Sequence, residues 1–303
     1  MARSTRRPPP PETGWLNVPL SRRVWGIVLL THPLPSLMYV AATIALSFLA
    51  ATSRHAAVDG SALVRVAVGV ACAEASIGAL NDFRDRELDA ARPDKPLARG
   101  WVTPRDALIL AIVAGVLAMI AFASLGPIAF AVGVPILGLG LAYDLGLKAT
   151  PLSAVLFAVY FPLFPLLAWA VFGRWQPFLP WLVPLGAALG LALNVANALP
   201  DLEDDAAAGI RGLPHLLGWR AGRLVAWGTP PLVLGAMLLL AATGLVPARA
   251  LGLIVAAVGA LVPSLTAPLL YRQHPIPRTL RIGFLLQGAG VILLGGGWLA
   301  AVV

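Results

Sequence analysis

Long apolar stretches separated by short polar loops dominate the pattern along the chain. Nine stretches can be marked, at about residues 24–50, 61–81, 105–125, 127–143, 152–172, 177–199, 221–243, 248–271 and 280–302. Each is long enough to cross a hydrocarbon layer of ~30 Å as a helix that rises ~1.5 Å per residue. Helices satisfy their own backbone groups in lipid, and the alternating pattern of a β-barrel is absent. The pattern predicts an all-α membrane bundle of nine transmembrane helices.

Composition supports a membrane protein and narrows its organisation. The chain is 59% hydrophobic and 12% charged, whereas soluble domains contain about 25% charged residues. Its one cysteine, Cys72, excludes a disulfide framework and a cysteine metal site. Residues 1–20 are basic and proline-rich without an apolar signal region behind them, so we expect a disordered cytoplasmic tail. Residues 21–303 are then expected to form a single transmembrane domain.

Lysine and arginine are distributed unevenly between the two predicted sides of the bundle. Eighteen lie in the amino-terminal segment and the even-numbered loops, against Arg54, Arg65, Arg174 and Arg249 on the other side. The positive-inside rule places the amino terminus in the cytoplasm and the carboxyl terminus outside. Topology explains the net charge of +8, so we expect no nucleic-acid partner. Heavy use of alanine, arginine and proline favours a bacterial plasma membrane.

Acidic residues are concentrated at the ends of two apolar stretches. After the second stretch comes NDFRDRELD, with Asn81, Asp82, Asp85 and Asp89. On a helix, Asp82, Asp85 and Asp89 stand at i, i+3 and i+7, and Asn81 lies one turn before Asp85. The spacing therefore predicts one face of oxygen ligands, which is typical of a cation site.

A second acidic segment repeats this spacing at the end of the sixth stretch. Asn197, Asp201 and Asp205 follow the same N-x-x-x-D-x-x-x-D pattern, and eight of the fourteen acidic residues lie in the two segments. Asp and Asn oxygens suit Mg²⁺, which takes one or two protein carboxylates and completes its shell with water and phosphate. Two such clusters across a cavity predict a site for a diphosphate. The only two lysines, Lys95 and Lys148, are either phosphate ligands or topology-setting charges.

These segments resemble a known family. NDFRDRELD with RPDKPLARG, DLEDDAAAGIRGLP after Asn197, and YDLGLKATP together resemble the UbiA superfamily of intramembrane prenyltransferases, across roughly residues 20 to 300. The resemblance implies nine helices around a central cavity that opens to the cytoplasmic side and toward lipid. It also implies Mg²⁺-dependent transfer of a prenyl group from a prenyl diphosphate, through an allylic carbocation, to an acceptor that is most often an aromatic ring.

The resemblance also assigns site residues by position. Mg²⁺ ligands would be Asn81, Asp82, Asp85, Asp89, Asp201 and Asp205; diphosphate ligands would be Asn81, Lys95, Tyr143, Lys148 and Asn197; and catalytic carboxylates would be Asp82, Asp85, Asp201 and Asp205. Three positions depart from the family pattern, because Lys95, Asp204 and Gly212 stand where arginine, glycine and threonine are usual. These departures leave the donor and acceptor preferences open.

Two residues inside apolar stretches add to the candidate site. Glu74 precedes Asn81 by two helical turns and so shares its face. A carboxylate within a membrane helix is costly and is rarely without a role. We therefore add Glu74 to the catalytic residues as a contact to the acceptor or a proton acceptor; the alternative is a protonated residue bonded within the bundle. His32 is expected to be a buried histidine with a satisfied hydrogen bond, and lining the pocket is the alternative.

Other functions fit parts of this pattern. A UbiA-type terpene cyclase, or a transferase of a sugar phosphate to a lipid phosphate, would use the same aspartate motifs. A transporter would also carry carboxylates in the membrane, but near the midplane of several helices. Here nearly all of the acid is predicted at one surface, which favours the enzyme. The expected partners are a prenyl diphosphate, a small aromatic or lipid acceptor, and membrane lipid.

Overall fold

A computed structural model describes residues 18–207, 209, 211–270 and 277–303, without the side chains at 204, 205, 207, 268, 270 and 277–281. Leu20, where the predicted tail was expected to end, already begins a helix, and residues 1–17 of that tail lie outside this range. The side chain of Asp205, an expected Mg²⁺ ligand, lies outside it too.

Helices make up most of the described chain. They are α1 (Leu20–Leu30), α2 (Pro33–Thr52), α3 (Gly60–Asp85), α4 (Pro104–Ala123), α5 (Pro127–Asp144), α6 (Leu152–Phe172), α7 (Leu179–Ala198), α8 (Leu202–Ala207), α9 (Leu213–Ala242), α10 (Ala250–Leu270) and α11 (Pro277–Val302). Short 3-10 turns occupy Leu88–Ala91, Leu147–Ala149 and Leu199–Asp201. Within the described residues, nine helices, all except α1 and α8, are long and apolar enough to span a membrane. The predicted all-α bundle is confirmed, and the chain is an integral membrane protein.

Seven of the nine predicted segments match a helix to within four residues at each end, and two do not. The predicted first span, 24–50, is wrong, because Thr31 and His32 separate α1 from α2. His32 adopts the left-handed conformation with φ 48°, and Pro33, without an N–H group, begins α2. In α9, Gly218 with φ 66° forms a kink, and the predicted span 221–243 corresponds to the part after it.

The nine spanning helices form a closed ring of neighbours. Sequential helices pack side by side from α2 to α7, then α7 packs on α9, α9 on α10 and α10 on α11, and α11 returns to α2. Helices that are not neighbours in the ring also make contact, in the pairs α2 and α6, α3 and α5, and α7 and α11. The cavities described below lie inside this ring.

The packing of α4 illustrates how the bundle meets lipid. Its inward side presents the small buried residues Ala111, Ala114 and Ala118. Its outward side presents Ile112 and Ile120, which are 58% and 60% exposed. Small residues let helix backbones approach closely, and large apolar side chains match the lipid tails.

Helix α1 lies outside the set of spanning helices and packs against the loop after α3. Gly26 is buried at this contact, where the approach is so close that a Cβ would lie 2.8 Å from Val102 Cγ1. Its opposite side exposes Leu20, Val24 and Ile27, at 75%, 52% and 43%. The residues after Val102 begin α4 with a capping box, in which the Thr103 hydroxyl accepts from the Asp106 N–H and the Asp106 carboxylate accepts from the Thr103 N–H.

α10 and α11 pack closely against one another through glycine. A Cβ on Gly259 would lie 2.4 Å from the backbone nitrogen of Leu294 and 2.6 Å from the carbonyl oxygen of Gly290. Because backbone atoms cannot move aside as a flexible side chain can, this position accepts only glycine without a shift of one helix.

We expect Gly259→Ala to destabilise the bundle by about 1–3 kcal/mol through overpacking. Thermal unfolding in detergent measures this as a lower Tm than that of the wild type. Gly235→Ala in α9 is the matched control, because a Cβ at Gly235 meets nothing within 4 Å. Equal Tm values for the two variants would contradict the packing argument.

Candidate active site

Three helices end together on one side of the bundle, next to the start of α2. α3 ends at Asp85, α5 at Asp144 and α7 at Ala198. Pro200, in the turn that follows α7, lacks an N–H group and so helps to end this helix. The carboxyl end of a helix carries partial negative charge, so acidic side chains placed there require cations or hydrogen-bond donors nearby.

The first acidic motif is tied to α5 by an amide. Asn81 Nδ2 donates to Asp85 Oδ2 at 3.1 Å and to Asp144 Oδ1 at 2.8 Å. Asp144 is only 3% exposed. Asp144 is not among the predicted site residues, although it has the same signal as they do: it is an acid at the end of an apolar stretch, four residues before Lys148.

Both lysines contact the first motif. Lys148 Nζ lies 2.5 and 2.7 Å from the two carboxylate oxygens of Asp85. Lys95 Nζ lies 2.6 Å from Asp82 Oδ1 and 3.3 Å from Asp89 Oδ2. Both ammonium groups are therefore placed within the acidic cluster, where a phosphate group bound to the cluster would meet them.

His32 contacts the same carboxylate as Lys95. Its Nε2 lies 2.9 Å from Asp82 Oδ1, and its side chain is 32% exposed, whereas that of Asp82 is 2% exposed. Gly78 makes room for this arrangement, since a Cβ there would lie 2.9 Å from the Leu30 carbonyl oxygen and 3.2 Å from His32 Cγ. The expectation of a fully buried His32 is therefore replaced by one that lines the site and positions Asp82.

The second motif approaches the first. Asn197 lines the same cavity as Asn81. Arg92, after the first motif, has a pKa above its usual value: burial lowers it, but the charges of Asp89, Asp94 and Asp201 outweigh that effect. Since Asp201 acts on Arg92 together with Asp89, the two predicted acidic segments lie on the same side and within electrostatic reach of one another.

The cavity that joins the motifs has a volume of about 310 Å³, close to the lower end for small-molecule sites. Polar residues line one end of it, with Asn81, Asn197, Asp144 and Tyr143. Apolar and aromatic residues from α3, α5 and α6 line its middle. The arrangement suits a ligand with one polar end and one apolar end.

Glu74 lies on the wall of this cavity, deeper than the motif. Its side chain is 8% exposed, and the Tyr160 hydroxyl donates to Glu74 Oε1 at 2.5 Å. Tyr39 packs edge-on against Tyr160 with ring centroids 5.9 Å apart. The predicted position of Glu74 facing the cavity is observed, as is the bond within the bundle that was the alternative. Tyr160 could not be selected from the sequence, because it stands 86 residues away.

A second, apolar cavity of about 200 Å³ continues from the first. The two share Pro35, Tyr39 and Phe157 in their walls. The apolar cavity runs along α2 from Pro35 to Leu49, which corresponds to ~21 Å at ~1.5 Å per residue. Its other walls come mainly from α6, α7 and α11. It offers an apolar ligand a volume separate from the polar end.

The donor atoms of the site can be tested against Mg²⁺. Among the described residues, no three His, Cys, Asp or Glu side chains converge as a metal cage. Mg²⁺ does not need one, because it usually takes one or two carboxylates together with water and substrate phosphates. Asp82 Oδ2 is buried and has no hydrogen-bond partner in the described part of the chain. This unpartnered oxygen is suited to an ion that is bound by the protein and a phosphate-bearing ligand together. It does not indicate a site in which the protein alone surrounds the ion.

We expect Asn81→Asp to destabilise the protein in the presence of a chelator. The change places a third carboxylate where an amide donates to Asp85 and Asp144, which should cost about 1–3 kcal/mol. Mg²⁺ should stabilise this variant more than the wild type, as measured by Tm in detergent. Gln176→Glu, in the loop between α6 and α7, is the control for adding one carboxylate. A Tm of Asn81→Asp that equals the wild-type value without Mg²⁺ would refute the interpretation.

Two relatives show what the chain resembles in sequence. It is 31% identical over 160 residues to a digeranylgeranylglyceryl phosphate synthase of Methanopyrus kandleri, covering 52% of this chain and 58% of that protein. It is 23% identical over 207 residues to a 4-hydroxybenzoate octaprenyltransferase of Vibrio vulnificus, covering 67% and 72%. The match thus spans little more than half the length of the first relative.

The fold and the family model extend over most of the chain. A UbiA homolog from Archaeoglobus fulgidus bound to GPP and Mg²⁺ shares the fold with a TM-score of 0.69 and 16% identity, over 89% of this chain and 99% of that one. The sequence model of the UbiA prenyltransferase family matches residues 39–287. With this match over most of its length, the chain belongs to the UbiA prenyltransferase family.

Proposed function

We propose that the protein transfers a prenyl group from a prenyl diphosphate to an acceptor. One observation carries this proposal: Asn81 and Asn197, from the two acidic motifs, line a single cavity that continues into an apolar one. A prenyl diphosphate has the matching shape, with a charged head and an apolar chain. The relatives named above, a digeranylgeranylglyceryl phosphate synthase and a 4-hydroxybenzoate octaprenyltransferase, support the reaction class and leave the acceptor open.

The residues at the polar end would hold the diphosphate. Lys95 and Lys148 offer ammonium groups to its oxygens, and Tyr143 and Asn197 line the wall beside it. Asn81, Asp82, Asp85, Asp89 and Asp201, with Asp205 outside the described side chains, are the proposed Mg²⁺ ligands. When bound, Mg²⁺ supplies positive charge that neutralises the diphosphate as a leaving group.

The middle of the cavity would receive the allylic carbon of the donor. The carbon–oxygen bond to the diphosphate breaks, and its electron pair leaves with the diphosphate oxygen. Phe157, whose ring centroid lies 5.4 Å from that of Tyr143 at the polar end, presents an aromatic surface here. Aromatic faces attract cations, and apolar walls exclude water that would otherwise capture the carbocation.

A terpene cyclase would use the same arrangement without an acceptor. In that case an internal double bond of the donor, instead of a second substrate, would attack the cation. Glu74 and Tyr160 add hydrogen-bonding groups to the far wall of the cavity, which favours a second substrate. Product analysis with and without an acceptor separates the two reactions.

Asp82→Ala and Asp201→Ala should each lower turnover of a prenyl diphosphate by at least about 100-fold, because each removes a group that acts on the leaving diphosphate. Product formation from geranyl diphosphate with a panel of acceptors, with Mg²⁺ or with a chelator, measures this. The chelator should abolish activity and added Mg²⁺ should restore it.

Glu87→Ala is the matched control for these variants, because its side chain is 85% exposed and pairs only with Arg86 in the described structure. The variants must elute from size exclusion in detergent as the wild type does. Wild-type turnover by folded Asp82→Ala protein would eliminate the proposed role of this carboxylate.

We further propose that the motif side faces the bacterial cytoplasm, in line with the distribution of basic residues. In a Cys72→Ser background, Glu87→Cys should resist a membrane-impermeant maleimide in intact cells, and Trp175→Cys, at a position 73% exposed on the other side, should react. The reverse labelling pattern would overturn the orientation.

A further inference from the structure

Two carboxylates, Glu74 and Asp144, line this cavity in the described part of the chain, and Asp144 is bonded to Asn81 of the first motif, whereas Glu74 lies apart from both motifs. It stands seven positions before Asn81 in α3, so it lies ~10 Å deeper along the helix axis. Lys95 and Lys148, by contrast, contact Asp82 and Asp85 at the other end. The mechanism proposed above uses that other end for the diphosphate and leaves Glu74 without a task.

The surroundings of Glu74 hold it in place and leave it accessible. In the described residues its hydrogen bond comes from Tyr160, which reaches Oε1. Tyr160 is fixed in turn by Phe164, at a ring centroid distance of 5.1 Å, and by Tyr39. The carboxylate lines the cavity, so its second oxygen is available to a ligand there.

The charges around the cavity restrict the charge that a ligand bound there can carry. None of the described residues that line it is a lysine or an arginine, and its titratable members other than Glu74 are His32, Tyr39, Tyr143, Asp144 and Tyr160. His32 is engaged by Asp82. An acceptor that carries a carboxylate would therefore meet Glu74 without a cation to offset the repulsion, whereas a hydroxyl group would donate a hydrogen bond to it.

We propose that Glu74, positioned by the Tyr160 hydroxyl, binds the acceptor and takes its proton, and that it selects an acceptor presenting a neutral hydroxyl group over one carrying a carboxylate near that hydroxyl. The inference rests on the proposed prenyl transfer. As the donor carbon–oxygen bond breaks toward diphosphate, the acceptor forms a bond to the allylic carbon. The acceptor loses one proton, which passes to the Glu74 carboxylate.

The depth of Glu74 agrees with this task. The diphosphate occupies the polar end in the proposed reaction, the allylic carbon comes next, and the acceptor lies beyond it. A separation of ~10 Å between Asn81 and Glu74 accommodates that order. In this proposal Tyr160 acts through its hydrogen bond to Glu74, as a positioning residue.

The test compares wild type, Glu74→Gln, Tyr160→Phe and the surface control Glu87→Gln with acceptor pairs that differ by one carboxylate. The pairs are phenol with 4-hydroxybenzoate, and 1,4-dihydroxynaphthalene with 1,4-dihydroxy-2-naphthoate. Donor binding is followed separately, as the rise in Tm caused by geranyl diphosphate with Mg²⁺. Steady-state kinetics give kcat and KM for each acceptor.

We expect wild type and Glu87→Gln to prefer the acceptor without the carboxylate in both pairs. Glu74→Gln should lose about 100-fold in kcat with the neutral acceptors, the contribution typical of a general base. Its preference between the members of a pair should fall by about tenfold, because the repulsion is gone. Tyr160→Phe should raise KM for the acceptor more than it lowers kcat. The rise in Tm with geranyl diphosphate should stay at the wild-type value in all variants.

Three results would overturn the inference. They are equal use by the wild type of both members of each pair, wild-type kcat in Glu74→Gln, and no transfer by the wild type to any of these acceptors despite stabilisation by geranyl diphosphate. A loss of donor stabilisation in Glu74→Gln would assign the residue to the donor and would also contradict it. If geranyl diphosphate with Mg²⁺ fails to stabilise the wild type, the proposed function itself fails.

Discussion

Negative charge gathered at the carboxyl ends of three helices is the constraint on which this structure depends. α3, α5 and α7 each direct the negative end of the helix dipole to the same region, and each adds a carboxylate there or in the following turn. Such a region is unfavourable at the edge of a hydrocarbon layer unless positive charge balances it. Lys95, Lys148 and Arg92 supply part of that charge, through contacts or electrostatic interactions with Asp82, Asp85 and Asp89.

The rest of the bundle serves to keep these ends together. The Asn81 amide links α3 to α5, and Gly78 lets the irregular residues before α2 approach α3 closely enough for His32 to reach Asp82. The α10–α11 pair contributes nothing charged to this region among its described side chains. Instead, the two helices are held together by their close backbone contact, and α11 lines the apolar cavity.

Much of the fold was predictable because the apolar stretches are long and their boundaries carry strong local signals, such as Thr103 and Pro104 at the start of α4. The first span was misplaced because the apolar pattern is almost continuous across residues 24–50, while the break depends on how Thr31 and His32 pack. Packing against α3 cannot be deduced from helical periodicity.

The candidate site was predictable where the spacing of residues along one helix determines the side toward which their side chains point. Glu74 could be placed on the cavity by counting two turns back from Asn81. The partners across helices could not be obtained in this way, because Tyr160 and Glu74 come together only through the arrangement of α3 and α6. Asp144 was missed for a different reason, since its acidic signal is present but isolated, and the repeated spacing drew the selection to other residues.

The break at His32 has a consequence for the depth of the two ends of the cavity. Because the spanning part of the first apolar stretch begins only at Pro33, the acidic region lies level with the first turn of α2, whereas Glu74 lies eleven residues before the end of α3, at a depth of ~16 Å. The cavity thus leads from a polar end at the acidic region to a deeper part that adjoins the apolar cavity. An amphiphilic ligand bound along these two cavities would keep its polar head level with the acidic region and its apolar tail at the depth of the spanning helices.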